Sequence, residues 1–371
     1  MTSDGIIRST SKIGSRQRPV LITGGAGFIG SNLADWLARE GYDVLVYDAL
    51  VRPGVEANLA WLKQRHPARI TAVVADVRDE ASITAAAREA SAVFHFAAQV
   101  AVTTSLDDPY CDFEINTRGT LLLLEVLRQR NDRIPFIYAS TNKVYGDLGD
   151  IELERVGENY LPRDAYVRRH GIGEDQPLSL HTPYGCSKGA ADQYVLDYAR
   201  SFGVPTVVMR MSCIYGPRQL GTEDQGWVAH FVRAAIDGKP ITIYGDGCQV
   251  RDLLHVEDAV NAYLSAWRQI AIVRGNAFNL GGGPANAVSV LQVVSEIGAL
   301  VGRPLDVTFA DWRPSDQRYY VSDIRKALRM LQWPEPRNWR DGLRDLYRWM
   351  KEDAPAVQTT ASLPLESAEL P

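Results

Sequence analysis

Directly after the short apolar run Val20–Thr23 the chain reads GGAGFIG, which sets Gly24, Gly27 and Gly30 three residues apart. Apolar positions Ile29, Leu33, Trp36 and Leu37 follow at helical spacing and stop at Gly41. A strand that breaks into a glycine turn and re-enters a helix lets the backbone approach a ligand closely. It also aims the helix N-terminus, here Phe28 and Ile29, at an anion such as a pyrophosphate. Glycine-rich turns are common, and the turn takes its weight from the segments around it. DVLVYD, ITAVVAD, AVFHFAA and IPFIYAS are apolar almost throughout, and ANLAWLKQRH, DEASITAAAREA and FEINTRGTLLLLEVLRQR lie between them with helical periodicity. Strands buried on both faces with helices between predict an α/β protein, a doubly wound parallel sheet of the Rossmann type. Ligands then bind at the carboxyl ends of the strands.

Those strand ends carry the expected cofactor residues. Asp48 closes the second strand 18 residues after Gly30. A carboxylate there accepts both adenosine ribose hydroxyls and repels a 2′-phosphate, which predicts NAD rather than NADP. Asp76 and Val77, after the third strand, are placed to meet adenine. Ala97, Ala98 and Gln99 close the fourth strand beside the pyrophosphate and nicotinamide, and Ser140 closes the fifth.

Downstream, YGCSK puts Tyr184 and Lys188 one helical turn apart on one face. A phenol titrates near 10 and is a poor base; a neighbouring ammonium lowers it. Tyr184 is thus expected to take a proton from a substrate hydroxyl while hydride leaves the same carbon. Lys188 lowers its pKa and holds the nicotinamide ribose, and Thr141 hydrogen-bonds the oxygen as it becomes a carbonyl. The spacing alone is common on helices that merely pack. Its weight comes from following a dinucleotide turn and a hydroxyl-terminated strand.

Composition excludes other classes. The 371 residues are 46% apolar and 23% charged with net charge −5, and no Lys/Arg run stands out, so neither nucleic acid nor an anionic membrane is expected as a partner. No stretch reaches the length of a membrane span. The N-terminus has no apolar h-region, which predicts a cytoplasmic protein. Cys111, Cys186, Cys213 and Cys248 are widely spaced and the six histidines show no ligand spacing, so neither disulfide nor metal is expected. Residues 1–18 and 351–371 read as flexible tails. Residues 19–215 read as the cofactor domain, with a long polar insertion at 147–183 expected to be a lid or binding loop, or plain surface loop. Residues 216–350 read as a smaller, mixed α/β, substrate-binding part.

The glycine turn, the strand-terminal Thr141 and the Tyr184/Lys188 pair resemble the extended short-chain dehydrogenase/reductases, specifically the NAD-dependent nucleotide-sugar epimerases and dehydratases. The resemblance covers about residues 19–350. STNKVYGD, HTPYGCSKGAADQYVLDYAR, YGPRQLGTEDQGWV, QVRDLLHVEDAV and DQRYYVSD are most similar to the branch that inverts C2 of a CDP-hexose. The family's dehydratases follow this Thr with an acid pair that eliminates water. Here Asn142 and Lys143 stand instead, which implies oxidation without elimination. The sugar of that branch lacks a 3-hydroxyl, so the implied route is a transient 2-keto sugar reduced from its other face by the same cofactor. Arg251 and Arg318 are then candidates for the diphosphate, though each serves a surface salt bridge equally well. Arg218 and Gln225 are expected to line the nucleotide pocket, and Trp227 to stack on the base or join the core. A 4-epimerase of UDP- or dTDP-sugars is the alternative, and a non-catalytic NAD-binding protein a distant one. The family's pairing through helices around 105–130 and 184–202 implies a homodimer or homotetramer.

Overall fold

The computed structural model describes residues 18–313 and 315–352, so nearly all of both expected tails lies outside the described residues. The chain runs β1 (Val20–Thr23), α1 (Phe28–Arg39), β2 (Val44–Asp48), α2 (Val55–Arg65), β3 (Ile70–Val74), α3 (Glu80–Glu89) and β4 (Ala92–His95). Short helices α4 (Val102–Asp107) and α5 (Pro109–Phe113) pass through a π-helical turn, Glu114–Arg118, into α6 (Gly119–Arg128), followed by β5 (Phe136–Thr141). The hairpin β6 (Leu153–Val156) and β7 (Asn159–Pro162) comes next, with α7 (Ala165–His170), α8 (Thr182–Phe202), β8 (Thr206–Met211) and β9 (Cys213–Tyr215). Beyond lie α9 (Trp227–Asp237), β10 (Ile241–Tyr244), β11 (Val250–His255), α10 (Val256–Arg268), α11 (Ile270–Val273) and β12 (Asn276–Leu280). The chain then forms β13 (Ala287–Ser289), α12 (Val290–Val301), β14 (Val307–Ala310), β15 (Tyr319–Tyr320), α13 (Arg325–Leu331) and α14 (Trp339–Glu352).

Seven strands form one parallel sheet in the order β12-β8-β5-β4-β1-β2-β3. The chain reverses direction between β1 and β4, and that switch point opens the crevice where the doubly wound fold binds its ligand. Apolar clusters cover both faces. Ile22, Val46, Phe94 and Met209 pack with Leu33, Tyr263 and Trp267 on one side; Leu21, Tyr47, Val93 and Tyr138 pack with Leu124, Leu127 and Val195 on the other. Two-sided burial is why these strands read as unbroken apolar runs. β12 returns from beyond residue 215 to complete this sheet. β10 and β14 pair separately, and β11 gathers β13, β15 and β9 over a third core that includes Phe231, Val293 and Leu343.

The insertion is an ordered hairpin and helix, and among the described residues none of 147–183 lines either principal cavity. Its apolar side chains explain the order. Ile151, Leu153, Val167, Ile172 and Leu178 close on Tyr145, Val250, Tyr319 and Tyr320 as a small core of their own. Ile172 N donates to the Val321 carbonyl at 2.7 Å, and Tyr160 N to the Cys248 carbonyl at 3.0 Å. The segment braces β11 and β15.

Candidate active site

Two cavities, of about 240 and 320 Å³, meet above the carboxyl ends of β1, β4 and β5. The smaller one begins at the glycine turn. Gly24 has φ +68°, and a Cβ there would stand 2.7 Å from Ala97 N. A Cβ on Gly30 would stand 2.3 Å from the Gly24 carbonyl oxygen. Neither position accepts a side chain, so turn, helix and β4 close on one another through bare backbone. Gly27 starts α1 without any side-chain cap, which leaves the first helical N–H groups for a ligand. Asp48 accepts from Ala26 N and Leu50 N, both at 2.9 Å, so its carboxylate is fixed at the rim with acceptor capacity to spare. Gly24, Gly27, Phe28, Ile29, Gly30, Asp48, Asp76, Val77, Ala97, Ala98, Ser140, Tyr184 and Lys188 all line this cavity. The uncapped helix start, the glycine cradle and the rim carboxylate fit a dinucleotide with a free 2′-hydroxyl.

Gln99 is not among the lining residues. Its side chain folds back on Ala101, donating to the carbonyl at 2.8 Å and accepting from the amide at 2.5 Å. Ser140 contributes to the wall while its hydroxyl donates to Asp192 at 2.7 Å.

The larger cavity holds Thr141, Asn142, Lys143, Gln225, Trp227 and Arg251. Tyr184 and Gln225 border both cavities, so the phenol stands at their junction. A Lys143–Asp316–Arg251 cluster crosses the floor: Asp316 accepts from Arg251 at 2.8 Å and lies 3.6 Å from the Lys143 ammonium. Asn142 donates to Gln317 at 3.0 Å. Above them, Arg52 of the cofactor rim hydrogen-bonds Gln225 across the gap between the cavities.

Two expected substrate residues lie elsewhere. Arg218, in left-handed backbone at φ +72°, lines neither cavity. It stacks on Trp61 at 3.7 Å and faces Trp349 at 5.7 Å, so it bridges the cofactor domain to α14. Arg318 is exposed, against Trp312 and Tyr160 at 5.3 and 5.6 Å. Its neighbour in sequence, Arg313, lines the cavity instead, over Tyr244 at 4.0 Å and 3.4 Å from Asp224. In an irregular stretch the period that would separate inward from outward arginines is lost.

The electrostatics also differ from expectation. Burial pushes the Tyr184 phenol up to about 12, and the Thr141 hydroxyl only partly offsets it. Lys188 does not act on the phenol here; its ammonium donates to the Ala139 carbonyl at 2.6 Å and lies 4.3 Å from the Tyr138 ring centre. Burial pulls Lys188 itself down to about 7, against the charges of Asp192 and Asp112.

Residues 20–281 match the NAD dependent epimerase/dehydratase family. The chain belongs to that family. A CDP-paratose 2-epimerase of Salmonella typhi is 44% identical over 89% of this chain and 98% of its own length. A putative UDP-glucose 4-epimerase of Methanocaldococcus jannaschii is 31% identical over 90% and 99%. Among solved structures, a Bacillus cereus UDP-glucuronic acid 4-epimerase in complex with UDP-glucuronic acid and NAD superposes with TM-score 0.77 at 27% identity, covering 90% of this chain and 99% of that one. The family's NAD dependence agrees with the glycine turn and Asp48. Asp112, Asn116 and Ser187, which hydrogen-bond one another beside the start of α8, escaped the sequence reading; they sit on helical segments whose apolar periodicity gave no reason to single them out.

Proposed function

We propose that this chain is an NAD-dependent epimerase of a nucleotide sugar, and that its substrate is a CDP-hexose inverted at C2, as the name of its Salmonella relative states for that protein. The observation that carries the reading is the position of Tyr184. Its phenol borders the cofactor cavity and the substrate cavity together, with Thr141 beside it and Lys188 on the cofactor side. A group at that junction can exchange a proton with a sugar hydroxyl at the face where hydride must cross.

When bound, NAD supplies the hydride acceptor and a positive ring charge that favours phenolate. Tyr184 then accepts the hydroxyl proton as the C–H electron pair departs, and Thr141 donates to the carbonyl oxygen that forms. Lys188 holds the ribose side of the cofactor cavity. Reversal of the same steps on the opposite face, after the sugar turns, returns the proton from Tyr184 and inverts the carbon. Arg251, Lys143 and Arg313 furnish the cations that anchor a diphosphate through this rotation. Among the described residues no helix is long and apolar enough to cross a membrane. Exposed Tyr110, Phe113, Tyr194 and Phe202 on the α5–α6 and α8 surfaces suit the pairing expected of a homodimer or homotetramer.

The test is a proton NMR assay of the purified protein with CDP-paratose, and with UDP-glucose in parallel, without added NAD. Inversion at C2 of the CDP-sugar alone is expected. Inversion at C4 of the UDP-sugar alone would overturn the substrate reading and leave the oxidising pair in place.

A further inference from the structure

Beneath the catalytic pair lies a polar node that neither cavity reaches. Asp112, on α5, has no solvent exposure and, among the described residues, no Lys or Arg within ion-pair distance. A carboxylate removed from water without a cation is costly, so the surrounding groups must hold it. The Ser187 hydroxyl donates to its Oδ2 in a short hydrogen bond, and the Asn116 amide donates to its Oδ1 at 3.2 Å.

The same Asn116 Nδ2 lies 3.0 Å from Ser187 Oγ and 3.1 Å from the Gln99 carbonyl. Gln99 N returns a bond to Asn116 Oδ1 at 2.9 Å, and Thr117 Oγ1 donates to the Ser187 carbonyl at 3.0 Å. The π-helical turn makes this possible, since its wider winding turns both Asn116 and Thr117 inward. Ser187 precedes Lys188 in the chain, and Gln99 follows the cofactor-lining Ala97–Ala98 segment. One buried carboxylate thus ties the catalytic helix to the end of β4.

We propose that Asp112 is a positioning residue for the catalytic pair: through Ser187 and Asn116 it clamps α8 to the cofactor wall, and it sets a buried carboxylate within electrostatic reach of the Lys188 ammonium, beyond ion-pair distance. The proposal rests on Tyr184 and Lys188 being the oxidising pair and is independent of the sugar.

The groups facing Lys188 bear this out. From β5 come the Ala139 carbonyl and the Tyr138 ring. His95 on β4 is buried, held down to about 3 by burial and by Lys188, and so is neutral. On α8 itself Asp192 acts on Lys188 more strongly than Asp112 does, while also gripping Arg210 of β8 through two hydrogen bonds of 2.9 Å. Asp112 is the second carboxylate that acts on Lys188, and among the described residues it has no ion-pair partner of its own. Burial raises the Asp112 carboxyl, while Ser187, the Lys188 charge and Asn116 draw it back.

The experiment uses the full-length, NAD-loaded protein carrying [ε-13C]lysine, with the Lys188 resonance assigned by its loss in Lys188→Met. In Asp112→Asn the Lys188 midpoint is expected to fall by about one pH unit or more, a roughly ten-fold drop in its charged fraction relative to neutral. An unchanged midpoint overturns the proposal even if turnover falls. Should Asp112→Asn not fold, Ser187→Ala cuts the tether and keeps the charge. A kcat loss of about ten-fold or more at unchanged KM is then expected, and wild-type kcat overturns the clamp. Because the titration needs no sugar, a protein silent toward CDP-paratose that still shows the shift would sink the substrate reading alone.

Discussion

Lys188→Met should abolish turnover and stabilise the protein. Lys188 is 4% exposed, and burial takes its ammonium from 10.5 to about 7. Each ten-fold step in proton affinity is worth about 1.4 kcal/mol, so keeping this site charged near pH 7 costs the folded state about 4 kcal/mol relative to the unfolded chain. Methionine removes that cost. It gives up the hydrogen bond to the Ala139 carbonyl, worth about 1 kcal/mol, and leaves no carboxylate stranded, because Asp192 keeps Arg210 and Asp112 keeps Ser187 and Asn116. The net expectation is a gain of about 2 to 3 kcal/mol, alongside a loss of activity of about a hundred-fold or more. The sign of the pH dependence follows from linkage. Below about pH 7 the lysine is charged in both states and the cost is full. Between 7 and 10.5 the unfolded chain binds the extra proton, so wild-type stability rises with pH and the advantage of the variant shrinks. Urea unfolding of both proteins, stripped of cofactor, at pH 6.5, 8 and 9.5 measures this. A variant less stable than wild type at pH 6.5, or an advantage that does not shrink with pH, would refute the electrostatic account of Lys188.

Gly30→Ala should lose the cofactor. The new Cβ falls 2.3 Å from the Gly24 carbonyl oxygen and 2.7 Å from Gly25 Cα, both backbone, so the turn must open; stoichiometric NAD released by acid from the purified variant would contradict this. Arg251→Ala and Arg318→Ala should separate, because only Arg251 lines the substrate cavity. Loss of a charged hydrogen bond predicts a rise in KM of about ten-fold or more for the first and less than about two-fold for the second, and the reverse ranking in steady-state kinetics would show that the exposed arginine swings in.

The parallel sheet was legible because strands buried on both faces announce themselves as apolar runs, and because the glycine turn fixes where the first strand meets its helix. Asp48 and Thr141 followed from their places at strand ends, and Tyr184 and Lys188 from their one-turn spacing on a helix, both of which local sequence marks well. What resisted reading depended on contacts distant in sequence. Arg218 carries the same charge as Arg251, and only the fold shows that Trp61 and Trp349 claim it. Residues 147–183 read as polar loop because their few apolar side chains find partners in Tyr319 and Tyr320, some 150 residues later. Asp112 and Asn116 sit in a helical run whose π-helical turn has no signature in composition, yet that turn is what faces them toward Ser187.

The floor of the substrate cavity bears on the choice between epimerisation and elimination. Elimination of water needs one carboxyl that is protonated to release the hydroxyl and a base to take the proton from carbon. Next to Thr141 stand an amide tied to Gln317 and an ammonium held by the Ser315 carbonyl at 3.2 Å. Asp316 is the carboxylate nearest to hand. Burial pushes it up, but Arg251 and Lys143 outweigh burial and hold it below its ordinary range. At neutral pH it is therefore ionised and engaged with two cations, so it has no proton to give. The same cluster is well arranged for a different task. On the function proposed above, a diphosphate arriving at Arg251 and Lys143 would replace one carboxylate by a stronger polydentate anion and fix the nucleotide while the sugar beyond it turns. On that same proposal, oxidation at the Tyr184 junction and anchoring at the floor, with an amide and an ammonium where an acid pair would follow Thr141, favour return of hydride to the other face over elimination.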